Sequence, residues 1–216
     1  MIAQGTPEWF AQRLGAITCS RLKDLMAKTK TGYSTSRANY MAQLICERLT
    51  GKGEESYTNA AMEWGTVTEP QARMAYESKT GNVVIEAGFV LHRTIKGFGG
   101  SPDGLIDPSG IDGLINPSGM IEIKCPNTAT HIEWIRHVEW IRREKVPPAH
   151  RAQVQGLMEV CGREWCDFVS FDPRLPEHLQ LFIVREVYDA EYCKELKAEI
   201  AAFGAELDAM ELELQP

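Results

Sequence analysis

The segment Met120-Ile-Glu-Ile-Lys-Cys125 alternates apolar and charged side chains with a period of two. That pattern predicts a β-strand with Glu122 and Lys124 on one face and Ile121 and Ile123 on the other. Upstream, both Asp-Pro-Ser-Gly110 and Asn-Pro-Ser-Gly119 are turn sequences, with Pro in the second position and Gly in the fourth. A hairpin there delivers an Asp beside Glu122.

Cover for such a sheet is legible on both sides of it. Thr6-Pro7-Glu8 offers an N-cap residue followed by Pro at the first helical position, and Ser20 is expected to cap a second helix through Met26. Tyr40, Met41, Leu44, Ile45 and Leu49 recur at helical spacing, with Gly51 as the stop. A further helix reaches Gly81, with a break expected near Gly65 and Pro70. From Val83 the pattern turns to extended runs, at Val83 to Leu91, Gly99 to Ile106, Met120 to Cys125, Trp165 to Phe171 and Leu181 to Val187. Val154, Leu157, Met158 and Cys161 share one helical face closed by Gly162, and a last helix runs from about Ala190 to Leu214. Helices flanking a mixed sheet predict an α/β fold. With 44% apolar residues in 216, one core and a single domain over residues 1–216 are expected.

Several function classes recede on composition. No run approaches the roughly 18 apolar residues of a membrane span, and Met1-Ile2-Ala3-Gln4 lacks the opening of a signal peptide, so a cytoplasmic protein without membrane contact is expected. Cys19, Cys46, Cys125, Cys161, Cys166 and Cys193 form no C-x-x-C pair; they read as reduced and mostly core. A formal charge of −7 disfavours a simple nucleic-acid coat, although an enzyme that gathers carboxylates around metals can be acidic and still present a local basic groove. Arg136, Arg142, Arg143 and Lys145 make one such local run.

Two short duplications stand in the middle of the chain. Asp103-Gly-Leu-Ile-Asp-Pro-Ser-Gly110 is nearly repeated from Asp112 to Gly119, and His131-Ile-Glu-Trp-Ile-Arg136 is followed by His137-Val-Glu-Trp-Ile-Arg142. Both offsets are far shorter than a solenoid or propeller repeat, so they read as local tandem events. His131 and His137 match no metal-ligand spacing and are expected to be solvated. Trp134 and Trp140 are expected to pack in the core or at an interface; stacking on frayed bases is the other reading.

Two carboxylates and an ammonium on one sheet face call for a ligand, and Mg²⁺ fits. It takes hard oxygen ligands, keeps several waters, and is usually held by one or two carboxylates plus substrate phosphates. Such a centre activates water and stabilises the attacking and leaving oxygens at phosphorus, with Lys124 positioning that water or helping to deprotonate it. Against this stands the plain alternative that Glu-x-Lys is the wet face of an amphipathic strand and Asp-Gly only a turn.

Ser101-Pro102-Asp103-Gly104, then Ile121-Glu122-Ile123-Lys124-Cys125-Pro126, then Arg151-Ala152-Gln153-Val154-Gln155, resembles the phage lambda exonuclease and YqaJ-type viral recombination nuclease family of the PD-(D/E)xK superfamily. Arg13-Leu14-Gly15 with Thr18-Cys19-Ser20, Trp64-Gly65 with Glu69 and Ala72-Arg73, and Phe171-Asp172-Pro173-Arg174 extend the resemblance over nearly the whole chain. It implies a restriction-endonuclease-like mixed sheet flanked by helices. The activity implied is 5′→3′ exonuclease action on double-stranded DNA ends that leaves 3′ overhangs for recombination. A homotrimeric ring and a single-strand annealing protein partner are implied as well, in the host cytoplasm if the chain is phage-encoded. By the same carry-over Asp103, Glu122 and the Ile123 carbonyl hold Mg²⁺, for which Mn²⁺ can substitute. Lys124 acts on the water, Glu69 and Gln153 assist, and Arg13, Ser20 and Ser101 hold the 5′ phosphate, a task suited to a planar guanidinium and to hydroxyl donors.

The duplication departs from that pattern, because Asp103 lies 19 residues before Glu122 and Asp112 lies 10 before it. Local hairpin register favours Asp112, whereas motif context favours Asp103, since only it follows Ser-Pro; the expectation is Asp103. An endonuclease with the same metal chemistry, and a DNA-end-binding scaffold whose lengthened hairpin has spoiled catalysis, are the competing readings.

Overall fold

The computed structural model describes residues 2–53, 60–107, 118–137 and 146–214. Helix α1 (Pro7–Arg13) starts at Thr6, whose side-chain oxygen accepts the Trp9 N–H at 3.3 Å. Strand β1 (Ile17–Thr18), a 3₁₀ turn over Cys19–Arg21, α2 (Leu22–Met26) and a small hairpin of β2 (Lys28–Thr29) and β3 (Gly32–Tyr33) lead into α3 (Thr35–Thr50). Gly51 ends α3 in the left-handed conformation, at φ 65°. Helix α4 (Ala60–Thr80), β4 (Val90–Leu91), β5 (Phe98–Gly100), β6 (Gly104–Ile106) and β7 (Gly119–Lys124) follow. Then come α5 (Thr128–Arg136), α6 (Pro148–Cys161), β8 (Trp165–Phe171), α7 (Glu177–Gln180), β9 (Leu181–Val187) and α8 (Ala190–Glu213).

The main sheet has the order β6-β7-β8-β9, with β7 and β8 parallel and the other two pairings antiparallel. A smaller sheet, β1-β5-β4, adjoins it. Alternation along the strands builds two cores. Ile121, Ile123, Val169 and Phe171 pack with Ala72 and Tyr76 of α4 on one face. Met120, Cys166 and Phe168 pack with Val154, Leu157 and Met158 of α6 and with Leu196, Ile200 and Phe203 of α8 on the other. Each such fully buried side chain is worth about 1.5–3 kcal/mol of transfer free energy. Because α6 and α8 close the second face, Glu122 is not on a wet surface at all: it is 1% exposed.

Four sequence expectations are corrected. Ser20 does not cap α2; the chain leaves β1 directly into the 3₁₀ turn, Arg21 takes the cap position without a side-chain bond, and the Ser20 hydroxyl meets that of Thr18 at 3.3 Å. Helix α4 runs unbroken through Gly65 and Pro70, because Ala72 and Tyr76 anchor it on the sheet and Pro70 lies on the exposed side, so packing outweighs the lost N–H. Among the described residues the run from Val83 to Leu91 pairs only at the Ile85–Leu105 bridge and in β4. His131 is not solvated but fully buried, its ring nitrogens 2.7 Å from Ser170 Oγ and 2.8 Å from the Leu179 carbonyl.

Trp134 packs in the core, edge-on to Phe168 and His150. Trp140, Arg142, Arg143 and Lys145 lie outside the described residues. All six cysteines are free, with Cys19, Cys166 and Cys193 buried. On the acidic last helix, Glu206 pairs with Arg37 and both Asp208 and Glu211 pair with Arg48, so these charges are engaged within the chain. Among the described residues no helix is long and apolar enough to cross a membrane.

Candidate active site

The expected run from Gly99 to Ile106 is split, with β5 in the small sheet and β6 in the main one. Ser101-Pro102-Asp103 is the crossing between them, and Pro102, which lacks an N–H, suits a segment that belongs to neither ladder. The hairpin register pairs Gly104 with Ile121, Leu105 with Met120 and Ile106 with Gly119. Continued by one residue, it sets Asp103 opposite Glu122. Asp112 lies outside the described residues.

Side-chain bonds draw the constellation together. Asp103 Oδ2 accepts the Ile123 N–H at 2.6 Å. Glu122 Oε1 accepts from Lys124 Nζ and from Gln153 Nε2 of α6, each at 2.5 Å. Glu122 Oε2 is buried and has no partner among the described residues. Glu69 reaches the group through Arg73, whose Nη2 donates to Glu69 Oε1 at 3.1 Å and to the Asp103 carbonyl at 3.3 Å; the same guanidinium also pairs with Glu86.

Three carboxylates facing Lys124 and Arg73 leave the cluster net negative inside the protein, and their proton affinities respond. Burial, then the nearby Asp103 charge, pushes the Glu122 carboxyl up to about 8 against the opposing pull of Lys124. Burial and Asp103 likewise raise Glu69 to about 7, and burial raises Asp103 itself. For Lys124 burial works against the charge, but Glu122 and Asp103 outweigh it and the ammonium holds its proton more tightly than usual. With Oε1 taken by two donors, Oε2 of Glu122 is left to carry either a proton or a cation. Among the described residues no three His, Cys, Asp or Glu side chains form a metal cluster. Two hard carboxylates with one vacant buried oxygen do fit Mg²⁺, which needs only one or two protein carboxylates and keeps waters for the rest.

A cleft of about 920 Å³ leads to Glu69, Asp103 and Arg73 from α1 and is also lined by Trp9 and Arg13. Arg13 lies over the Trp9 ring, 4.2 Å from its centroid, and the Trp9 indole N–H donates to Ser101 Oγ at 2.9 Å. Burial lowers the Arg13 pKa, only partly offset by Tyr40, Cys19 and Glu47. Among the described residues no ion pair compensates that guanidinium, a condition that favours an anionic ligand. Ser20 and Ser101 each stand two residues beyond the paired Thr18 and Gly99 of parallel strands β1 and β5, hence at the same end of the small sheet. Asp103, Glu122, Lys124 and Gln153 are thus in one bonded group, Glu69 joins it through Arg73, and Arg13, Ser101 and Ser20 gather beside it, although among the described residues the Ser20 hydroxyl bonds only Thr18.

Sequence reasoning gave no role to Arg73 or Trp9. Their signal was spacing, since Arg73 follows Glu69 and Arg13 follows Trp9 by four residues, one helical turn.

The profile of the YqaJ-like viral recombinase domain matches residues 8–164. The crystal structure of LHK-Exo in complex with dAMP is 48% identical to this chain, with a TM-score of 0.83 over 97% of this chain and 96% of that one. The alkaline exonuclease LHK-Exo from Laribacter hongkongensis is 47% identical, with a TM-score of 0.82 and the same coverage. A phage related exonuclease from Haemophilus somnus 129PT, 15% identical over 93% of this chain and 96% of that one, shares the fold at a TM-score of 0.69. No curated protein matches the sequence.

Proposed function

The chain belongs to the YqaJ-like viral recombinase family, and from that membership and the buried carboxylate cluster we propose a Mg²⁺-dependent 5′→3′ exonuclease on double-stranded DNA. It is a DNA-hydrolysing enzyme of the exonuclease class, with the PD-(D/E)xK-type α/β fold of its alkaline exonuclease relatives. The observation that carries the proposal is Glu122 Oε2, a buried oxygen beside Asp103 and Lys124 that has no partner among the described residues. Leaving a buried acceptor unsatisfied costs about 1–3 kcal/mol, more for a charged group, which a cation would relieve.

Asp103, Glu122 and the Ile123 carbonyl are the ligands we assign to the ion, with Mn²⁺ an acceptable substitute. A bound Mg²⁺ supplies Lewis acidity at a phosphate oxygen and lowers the pKa of water. Gln153 and Lys124 fix Oε1 of Glu122 and so turn its other oxygen to the ligand. Lys124, whose proton is held tightly, works as a cation that orients the attacking water and offsets charge growing at phosphorus. Glu69, steadied by Arg73, is the next proton acceptor along the cleft. Arg13, Ser101 and Ser20 receive the 5′-terminal phosphate, which sets which end is degraded.

The same reading takes residues 1–216 as one nuclease unit in the host cytoplasm, assembled as a homotrimeric ring around DNA and handing its 3′ overhang to a single-strand annealing protein. Digestion of a linear duplex labelled at either strand terminus, with and without Mg²⁺ and beside a covalently closed circle, tests the core of it. Mg²⁺-dependent loss from 5′ ends with an intact circle is expected. A cut circle would make the chain an endonuclease, and uncut DNA held at its ends would make it a scaffold.

A further inference from the structure

Strand β8 ends at Phe171, at the same end of the sheet as Lys124, which pairs with Ser170, and Asp172 follows it. Asp172 is fully buried. Its Oδ1 accepts from the Arg174 backbone N–H at 3.0 Å and from Arg174 Nε at 2.7 Å, and its Oδ2 from Arg174 Nη2 at 2.9 Å and Thr128 Oγ1 at 2.6 Å. One face of the Arg174 guanidinium lies on Trp64, 4.3 Å from the ring centroid. Trp64 extends the buried α4 stripe of Thr68, Ala72 and Tyr76 by one turn, yet its indole N–H is buried without an acceptor among the described residues. The ring is therefore held there for its face and not for its hydrogen bond.

Two sides of the guanidinium are thereby fixed while the third is open. The Arg174 side chain is 48% exposed, and among the described residues Nη1 has no partner. Nη2 also comes within 3.5 Å of the Pro126 carbonyl, two residues past Lys124, which is roughly 7 Å of extended chain. An exposed arginine ordinarily pays heavily in rotamer entropy to meet a ligand, and here Asp172 and Trp64 have already ordered it.

We infer that Arg174, clamped by Asp172 and stacked on Trp64, is a second phosphate-binding position that grips the DNA backbone beside the hydrolytic centre, apart from the Arg13 pocket. The inference rests on the proposed action on DNA. Arg185 provides an internal control, because it makes the same bidentate pair with a buried Asp167 and the same stack, on Trp165 at 3.7 Å, but from the edge strand β9, where it pairs with Asp167 and is separated from β7 by the whole of β8.

Binding of a 5′-phosphorylated linear duplex is measured by fluorescence anisotropy in EDTA, where nothing is cut, between roughly 50 and 200 mM salt. Arg174→Gln is expected to weaken binding about tenfold at the lower salt, the scale of one charge-assisted hydrogen bond, and to reduce the slope of log K against log salt by about 0.9. Arg185→Gln is expected to keep the wild-type slope, and Trp64→Phe to keep it too. If Arg174→Gln retains the wild-type slope and affinity and differs only in melting temperature, the residue is a brace and the inference is wrong. If that variant fails to fold, Arg174→Lys decides: charge without clamp or stack is expected to keep the slope but lose affinity, and wild-type affinity would overturn the inference. Wild-type protein that binds no duplex would refute the proposed function and this contact with it, a failure seen in the wild type and not only in the variants.

Discussion

Replacing Glu122 by Gln removes a buried titratable carboxyl at nearly constant size, and the structure dictates how the effect depends on pH. Glu122 is 1% exposed, and its carboxyl is raised from 4.5 to about 8 by burial and by Asp103. Between those values the folded protein holds a proton that the unfolded chain has released. The stability this contributes is complete below 4.5 and is lost as the pH rises through about 8. One proton corresponds to ~1.4 kcal/mol per pH unit, so metal-free wild type is expected to lose up to ~3 kcal/mol against Glu122→Gln between about pH 5.5 and about pH 7.5. In a chain of this size that is about 6–12 °C in Tm. Glu69, about a third exposed, adds a smaller screened share that is common to both proteins. Thermal or urea melts of both proteins in EDTA across that range read the difference directly. Mg²⁺ is further expected to raise the wild-type Tm more at high pH than at low, because its ligands must shed protons, and to do little for the variant. Parallel melting curves for the two proteins would show Glu122 ionised throughout and satisfied by Lys124 and Gln153 alone, refuting the reasoning.

Three further outcomes follow from particular contacts. A Cβ at Gly119 would stand 2.2 Å from the buried Trp165 ring, so Gly119→Ala is expected to cost about 1–3 kcal/mol in urea unfolding; an unchanged midpoint would contradict that packing. His131→Ala removes the bonds to Ser170 and Leu179 and is expected to destabilise by about 2–4 kcal/mol, while a melting curve like wild type would mean the histidine is dispensable to the fold. Arg13→Gln is expected to erase most of the preference for a 5′-phosphate over a 5′-hydroxyl end, measured as the ratio of initial digestion rates; a preserved ratio would remove Arg13 from the phosphate pocket.

Much of the architecture was legible where the pattern is long and self-consistent. Strands β8 and β9 match their apolar runs residue for residue, and α8 needs only its Asp189 cap and its buried stripe of Leu196, Ile200, Phe203 and Leu207. Local signals misled where tertiary packing overrode them. Pro70 reads as a breaker, but Ala72 and Tyr76 just beyond it hold α4 on the sheet, and Ser20 reads as a cap, but strand pairing carries the chain past that role. Alternation placed Glu122 and Lys124 on one face correctly, yet period two cannot tell a wet face from one roofed by a distant helix. The roof is α6, and nothing local to β7 announces Gln153. The same limit concealed His131, whose partners Ser170 and Leu179 lie roughly 40 and 50 residues on, a separation that no helical or strand period encodes. Hairpin spacing likewise pointed to Asp112, whereas the paired register brings Asp103 opposite Glu122.

That register is the centre of the account, and Asp103→Asn measured beside Asp112→Asn tests it most directly, by Mg²⁺-dependent digestion of a 5′-phosphorylated linear duplex. Asp103→Asn is expected to lose digestion by at least about 100-fold, the scale of losing a charged group that organises transition-state stabilisation, while Asp112→Asn stays near wild type. An active Asp103→Asn enzyme beside a dead Asp112→Asn enzyme would contradict it, and would move the metal site onto the second copy of the repeated segment.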